Sequence, residues 1–298
     1  MYLVLNKKFK KGLVAAAVVI PVIIIAVIIA CVIGNNSVRE LSRADIDDNS
    51  AVTLISHRGL NVLAPENTLE AAVKSAEYGY GYVEFDIRRT KDGVWVLMHD
   101  EDIERMTDGE GRVGDLTYKQ IISCRIDEGK NLKDALSYVI TVPTLEQMLS
   151  LCAENNLKPV IEIKDGGTEY IPELLSFIAA RRNTDMMIIS FDREQIEYIS
   201  SFINSGRTTF MREGIELYWL TSDLSDETLE TAAKTPEIGV SFNGNKAGTQ
   251  KEIDAFTEKG LKLACWTIDS PSKLKKLYER GITTFTTNRI VYTFGNSN

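Results

Sequence analysis

The sequence predicts an α/β fold, either a βα-barrel or a doubly wound sheet. From Ala51 onward, short β-branched or apolar runs alternate with stretches of helical pattern, the signature of strands joined by crossover helices. The 298 residues, 44% of them hydrophobic, suit one domain of roughly 250 residues with a short extra segment, and α/β barrels reach that size as single domains. The net charge is −8 and no basic tract lies beyond the N-terminus, so nucleic acid is not expected as a partner.

The extra segment comes first. Residues 1–12 form a basic tail that carries Lys7, Lys8, Lys10 and Lys11. Residues 13–33 are apolar throughout, interrupted only by Pro21. As a helix that run would measure about 31 Å, enough to cross the hydrocarbon core of a bilayer. The flanking lysines would stay on the cytoplasmic side and send the remainder outward. Without those four lysines, 30 basic residues face 42 acidic ones, a net charge near −12. Anionic headgroups repel such a domain, so the anchor would hold it at the surface. The run Ile28-Ile29-Ala30-Cys31 also resembles a bacterial lipobox, which would tether the chain through Cys31 instead. Residues 34–50 are polar and read as a linker.

Residues 51–298 then form the expected domain. Candidate strands are 52–56, 82–86, 94–98, 159–163, 186–190, 217–220, 239–242, 261–267 and 283–286. Candidate helices are 68–77, 145–154, 171–181, 193–203, 225–233, 250–259 and 272–280. Nine strands are one too many for a barrel, so one of them is expected outside it. Residues 99–144 break the alternation and are rich in Asp, Gly and Glu, which suggests a cap near the site. The four cysteines include no CxxC pair, and Cys152 and Cys265 sit in apolar runs as small core residues.

Charged residues gather at the strand ends. His57 and Arg58 follow the first strand, and His99 ends the third; they are the only two histidines. Glu84 and Asp86 lie two apart on the second strand, as do Glu162 and Lys164 on the fourth, so each pair shares a face. In a barrel the C-terminal strand ends form one mouth. Three carboxylates converging there repel one another unless a cation sits among them, and oxygen-only ligands favour Ca²⁺ or Mg²⁺. Two histidines, two cationic side chains and a divalent metal suit a phosphodiester: one histidine takes a proton and the other gives one. The Lys91-Asp92-Gly93 turn permits a hairpin over 82–99 that sets His99 opposite Asp86, although two barrel strands remain an alternative.

The motifs ISHRG (55–59), PENT (65–68), VEFDIRRTKDGVWVLMHD (83–100), VPTLEQML (142–149), IEIK (161–164), SF (190–191) and WT (266–267) together resemble the glycerophosphodiester phosphodiesterase family over nearly all of residues 51–290. That resemblance implies a TIM-type (βα)8 barrel with a small inserted cap after the third strand. It implies His57 and His99 as acid and base, and Glu84, Asp86 and Glu162 as ligands of one Ca²⁺ or Mg²⁺. Arg58 and Lys164 would hold phosphate, Trp266 would line the glycerol side, and Glu66, which opens the first helix, would join them in binding substrate. The implied substrate is a small glycerophosphodiester, cleaved to glycerol 3-phosphate and an alcohol. Asn67 reads either as a site residue or as the cap of the first helix. The sequence departs from the family at its last motif, expected as TDxP, where Thr287-Asn288-Arg289-Ile290 stands. Lipid headgroups, an envelope glycerophosphate polymer and a non-catalytic binding role are the competing readings. Oligomeric state is not legible.

Overall fold

The computed structural model describes residues 37–41, 52–128, 139–181, 185–205 and 214–292. The expected basic tail, the apolar span 13–33, Cys31 and most of the linker lie outside these residues. Among the described residues no helix is long and apolar enough to cross a membrane.

A short parallel pair, β1 (Arg39–Leu41) with β11 (Ile290–Tyr292), stands apart from the main sheet. The main sheet holds β2 (Thr53–Ser56), β3 (Tyr82–Arg89), β5 (Lys158–Ile163), β6 (Met186–Ser190), β7 (Ile215–Thr221), β8 (Gly239–Asn243), β9 (Leu263–Trp266) and β10 (Thr284–Thr287). These eight run parallel, each beside its neighbour, and β2 pairs with both β10 and β3. That closure makes the sheet a barrel and rules out the doubly wound alternative.

The ninth strand, β4 (Trp95–Leu97), lies outside the barrel and antiparallel to β3. The Lys91-Asp92-Gly93 turn is therefore a true hairpin, with Gly93 at φ 85° and the Thr90 amide donating to the Val94 carbonyl. Its register pairs Ile87 with Leu97, and the Met98 amide donates to the Asp86 carbonyl. Met98, not His99, thus faces Asp86, one residue off the expected register. The expected third strand belongs to this hairpin, so the cap lies between the second and third strands of the barrel.

The helices are α1 (Leu69–Glu77), α2 (Tyr118–Ile121), α3 (Leu145–Glu154), α4 (Ile171–Ala180), α5 (Arg193–Asn204), α6 (Asp226–Ala232), α7 (Gln250–Glu258) and α8 (Pro271–Tyr278). Their starts follow from side-chain caps. Thr68, Thr144, Asp192, Ser225 and Thr249 each accept a backbone N–H of the first turn, and Gln147 and Glu252 complete capping boxes.

Alternation along the strands sorts side chains to two sides of the barrel wall. On β3, Val83, Phe85 and Ile87 pack outward with helix residues such as Leu145, Met148 and Leu174. On β5, Ile161 and Ile163 join that layer while Val160 turns inward with Ile55, Met187 and Ile189. The intervening Glu84, Asp86 and Glu162 therefore face the interior. Phe85 is fully buried, and truncating it to Ala is expected to cost about 3–5 kcal/mol. The cap has a small core of its own, in which Ile103, Met106, Val113, Ile121 and Ile126 pack with Val96 and Met98.

Candidate active site

The first motif bends sharply as it leaves β2. Arg58 and Gly59 both take positive φ, 55° and 75°, and a Cβ on Gly59 would sit 2.5 Å from the Ala71 Cβ of α1. Only glycine lets the turn approach the helix so closely. The turn aims the Arg58 backbone N–H at Glu84 Oε2, 2.7 Å away.

Glu84, Asp86 and Glu162 are buried, and one oxygen from each lies within 4.8 Å of the others. Glu84 Oε1 and Asp86 Oδ1 are enclosed yet accept no hydrogen bond. Burial, reinforced by the Asp86 charge, pushes the Glu162 pKa up to about 7. Glu84 is raised well above the usual range by burial and by both neighbouring carboxylates. Burial also works against Asp86, but Arg58 and Lys164 outweigh it and hold that carboxyl low. Three crowded carboxylates with unused oxygens and no sulfur or nitrogen ligand fit a hard divalent cation. The divalent metal that the resemblance implies therefore fits the residues present.

Two cations flank the cluster. Arg58 Nε stands 3.2 Å from Asp86 Oδ2, and its Nη1 donates to Glu66 Oε1 at 2.9 Å. Lys164 Nζ lies 2.7 Å from Glu162 Oε1 and 3.6 Å from Asp86 Oδ1. A cavity of about 340 Å³ opens in front of them, with His57, Arg58, Glu84, His99, Glu162, Lys164 and Trp266 on its walls. Asp86 and Glu66 stand behind this wall rather than in it. One side of the cavity is apolar, built from Ile189, Phe191, Leu220 and Trp266. Phe191 and Trp266 meet edge to face with centroids 5.6 Å apart, and the indole N–H is held by the Ser241 carbonyl at 3.1 Å. Trp266 thus forms a wall of the cavity while packing against the inner core of the barrel.

Each histidine is held through Nδ1. His57 Nδ1 meets the Asn288 side-chain oxygen at 2.8 Å, and His99 Nδ1 meets Asp100 Oδ1 at 2.7 Å. Burial, with help from Arg58, lowers the His57 pKa. Burial also lowers that of His99, although Asp86 and Asp100 oppose the shift.

The structure decides the role of Asn67 and adds supporting residues that sequence alone did not single out. Asn67 is not the helix cap; Thr68 is. Asn67 instead takes φ 56°, donates to Asp86 Oδ2 at 2.8 Å and accepts the Asp86 N–H at 3.0 Å. Arg105, in the cap, bonds Asp100 through Nε and Glu66 through Nη2, so one side chain ties the supports of His99 and Arg58 together. Arg88 grips the His99 carbonyl from Nε and Nη2 at 3.1 and 2.9 Å, with Asp165 behind it at 2.6 Å. An acid directly after His99 and an arginine five positions on were the only local signals for this network.

A mouse protein named Glycerophosphodiester phosphodiesterase 1 (Mus musculus) is 40% identical to this chain over 113 residues, 38% of this chain and 34% of that one. The match thus spans about a third of that relative's length. A Glycerophosphodiester phosphodiesterase of Bacillus subtilis (strain 168) is 25% identical over 267 residues, 84% of this chain and 88% of its own. Among solved structures, an Oleispira antarctica phosphodiesterase in complex with the product sn-glycerol-3-phosphate superposes with a TM-score of 0.69. It covers 83% of this chain and 95% of its own at 21% identity, a likeness of fold. The model of the Glycerophosphoryl diester phosphodiesterase family matches residues 57–291, and the chain belongs to that family.

Proposed function

We propose that this chain is a metal-dependent phosphodiesterase that hydrolyses small glycerophosphodiesters to glycerol 3-phosphate and an alcohol. One observation carries the reading: a buried carboxylate triad, with two oxygens that accept no hydrogen bond, lies at a cavity lined by two of its members, two histidines and two cations. A Ca²⁺ or Mg²⁺ held by Glu84, Asp86 and Glu162 would supply positive charge for the phosphoryl oxygens. Arg58 and Lys164 hold the phosphate from either side, and the Trp266 wall takes the glycerol carbons. His57 takes the proton of the attacking glycerol hydroxyl while His99 protonates the departing alcohol oxygen. Water then opens the cyclic phosphate with the two roles exchanged. An amide behind His57 leaves it neutral and ready to accept; the Asp100 carboxylate behind His99 works against the burial that lowers its pKa and so favours the form that gives a proton.

The apolar run 13–33 and the lysines before it support a membrane tether, with the barrel on the outer face. Protease treatment of intact cells tests that arrangement: cleavage of the barrel agrees with it, and protection contradicts it.

A coupled assay for glycerol 3-phosphate tests the reaction, with glycerophosphocholine, glycerophosphoethanolamine and glycerophosphoglycerol as substrates. Activity that EDTA abolishes and Ca²⁺ or Mg²⁺ restores is the expected result. No turnover of any of them by the folded, metal-supplied protein overturns the small-diester reading. Weight then moves to lipid headgroups or a glycerophosphate polymer.

A further inference from the structure

The His57 support is a chain of three residues, not one. Asn288 Oδ1 receives His57 Nδ1 at 2.8 Å and also the Asn61 side-chain N–H at 2.7 Å. Asn61 Nδ2 is itself anchored to the His57 carbonyl at 2.8 Å. On its far side, Asn288 Nδ2 donates to Asp269 Oδ2 at 2.7 Å, and the Asn288 backbone N–H donates to Asp269 Oδ1 at 2.8 Å. Thr287 Oγ1 adds a bond to the same oxygen at 3.1 Å. Asp269, Asn288 and His57 follow β9, β10 and β2, three adjacent strands of the barrel.

The direction of every bond in this chain is set at its ends. An ionised carboxylate accepts only, and so does a backbone carbonyl. Asp269 therefore faces the NH₂ of Asn288, which turns Oδ1 toward the histidine. The His57 carbonyl likewise faces the NH₂ of Asn61, so Asn61 donates to that same oxygen. With two donors required at Asn288 Oδ1, His57 Nδ1 must carry a hydrogen. The neutral ring then keeps its lone pair on Nε2, the nitrogen left for the cavity. A free asparagine could face either way; the one behind His57 is made an acceptor by the aspartate beyond it.

We propose that Asp269 is a positioning residue that acts through Asn288 to hold the neutral His57 ring with its proton on Nδ1 and Nε2 free to accept. The two residues divide between them what a single carboxylate at position 288 would do alone. The proposal rests on reading His57 as the base, and its first test does not depend on turnover.

The chain has only two histidines, so ¹⁵N-histidine labelling of the full-length protein in detergent, with Ca²⁺ present, gives two ring signatures. Nitrogen shifts at mildly alkaline pH report the tautomer of each, and His99 is the internal control. The expected wild-type His57 carries its proton on Nδ1; a proton on Nε2 overturns the proposal without any variant. Asp269→Asn keeps an acceptor for Thr287 and the Asn288 backbone but lets the Asn288 amide reverse. It should mix the His57 tautomers, leave His99 unchanged and lower kcat by about 10-fold with KM little altered, the scale of losses for groups that orient a reacting ligand. Asn288→Asp alone sets two carboxylates face to face and should also lose activity. The double variant Asp269→Asn/Asn288→Asp should recover both the tautomer and kcat. A single unchanged His57 tautomer in Asp269→Asn, or no recovery in the double variant, overturns the relay. An inactive wild type with the expected tautomer would instead count against the proposed reaction.

Discussion

His57 and His99 face one cavity from two kinds of scaffold. His57 directly follows a strand of the closed barrel, stands on the cavity wall, and leans on a neutral amide. His99 stands just past the hairpin strand β4, where the barrel gives way to the cap. It is half-buried, leans on a carboxylate, and has its backbone clamped by Arg88. Two copies of one side chain thus acquire different proton habits from what lies behind Nδ1. The barrel seam supplies a partner that only accepts, and the cap supplies charge.

The largest expected effect breaks the pair outright. His57→Ala and His99→Ala should each lower kcat at least about 10²-fold with the fold intact by circular dichroism. A substrate with an acidic leaving group, such as a nitrophenyl ester, sharpens the contrast. There His99→Ala should recover most of its lost rate, because the leaving group needs no proton, whereas His57→Ala should not. Equal losses on both substrates would erase the distinction between the two histidines.

Loss of a cluster carboxylate touches both histidines alike. Glu84→Gln should weaken metal binding at least about 10-fold, read as a smaller melting-temperature rise on adding Ca²⁺. An unchanged metal response would remove Glu84 from the ligand set.

Arg105→Ala strikes only the cap side. It cuts Asp100 and Glu66 loose together and should cost about 10-fold in kcat while leaving the His57 tautomer unchanged. A changed His57 ring would show that the two supports are coupled.

Acidity separates the metal-free site from the loaded one. Glu162 keeps its proton to about 7 in the metal-free fold, against an ordinary value of 4.5. The unfolded chain gives up that proton first, so the metal-free protein should lose stability as pH rises through this window. A cation binds the ionised carboxylates, so the stabilisation it brings should grow over the same range. Melting curves with EDTA and with Ca²⁺ across that window check the sign. The smallest effect belongs to Arg112, whose pair with Glu101 is exposed in the cap. Arg112→Ala should leave kcat and melting temperature unchanged within error, since such pairs contribute little.

Much of this architecture was legible before folding. Helix positions followed from helical patterning and strand positions from β-branched runs, mostly within two residues. The largest boundary shift of an expected strand was at β3, expected to stop at Asp86, which continues to Arg89 where β4 folds back and pairs with it. Pairing partners are not local, so the surplus strand could be counted but not identified. In the site, i,i+2 spacing placed Glu84 with Asp86 and Glu162 with Lys164 on shared faces. Asn67 stayed open between site residue and helix cap because its neighbour Thr68 caps the helix equally well, and only the positive φ at Asn67 turns its amide toward Asp86.

The sequence by itself determined the alternation of strands and helices, the inward carboxylates and the two histidines at strand ends, because these depend on periodicity and on residue type. Only the tertiary structure decided that the sheet closes, that β4 stays outside it, and which atom stands behind each histidine. Asp269 and Asn288 are distant in the chain from His57, and Arg105 reaches Glu66 across 39 positions. Hydrogen bonds are directional and short, so their partners follow from how the barrel brings strand ends together, and sequence neighbours carry no record of it.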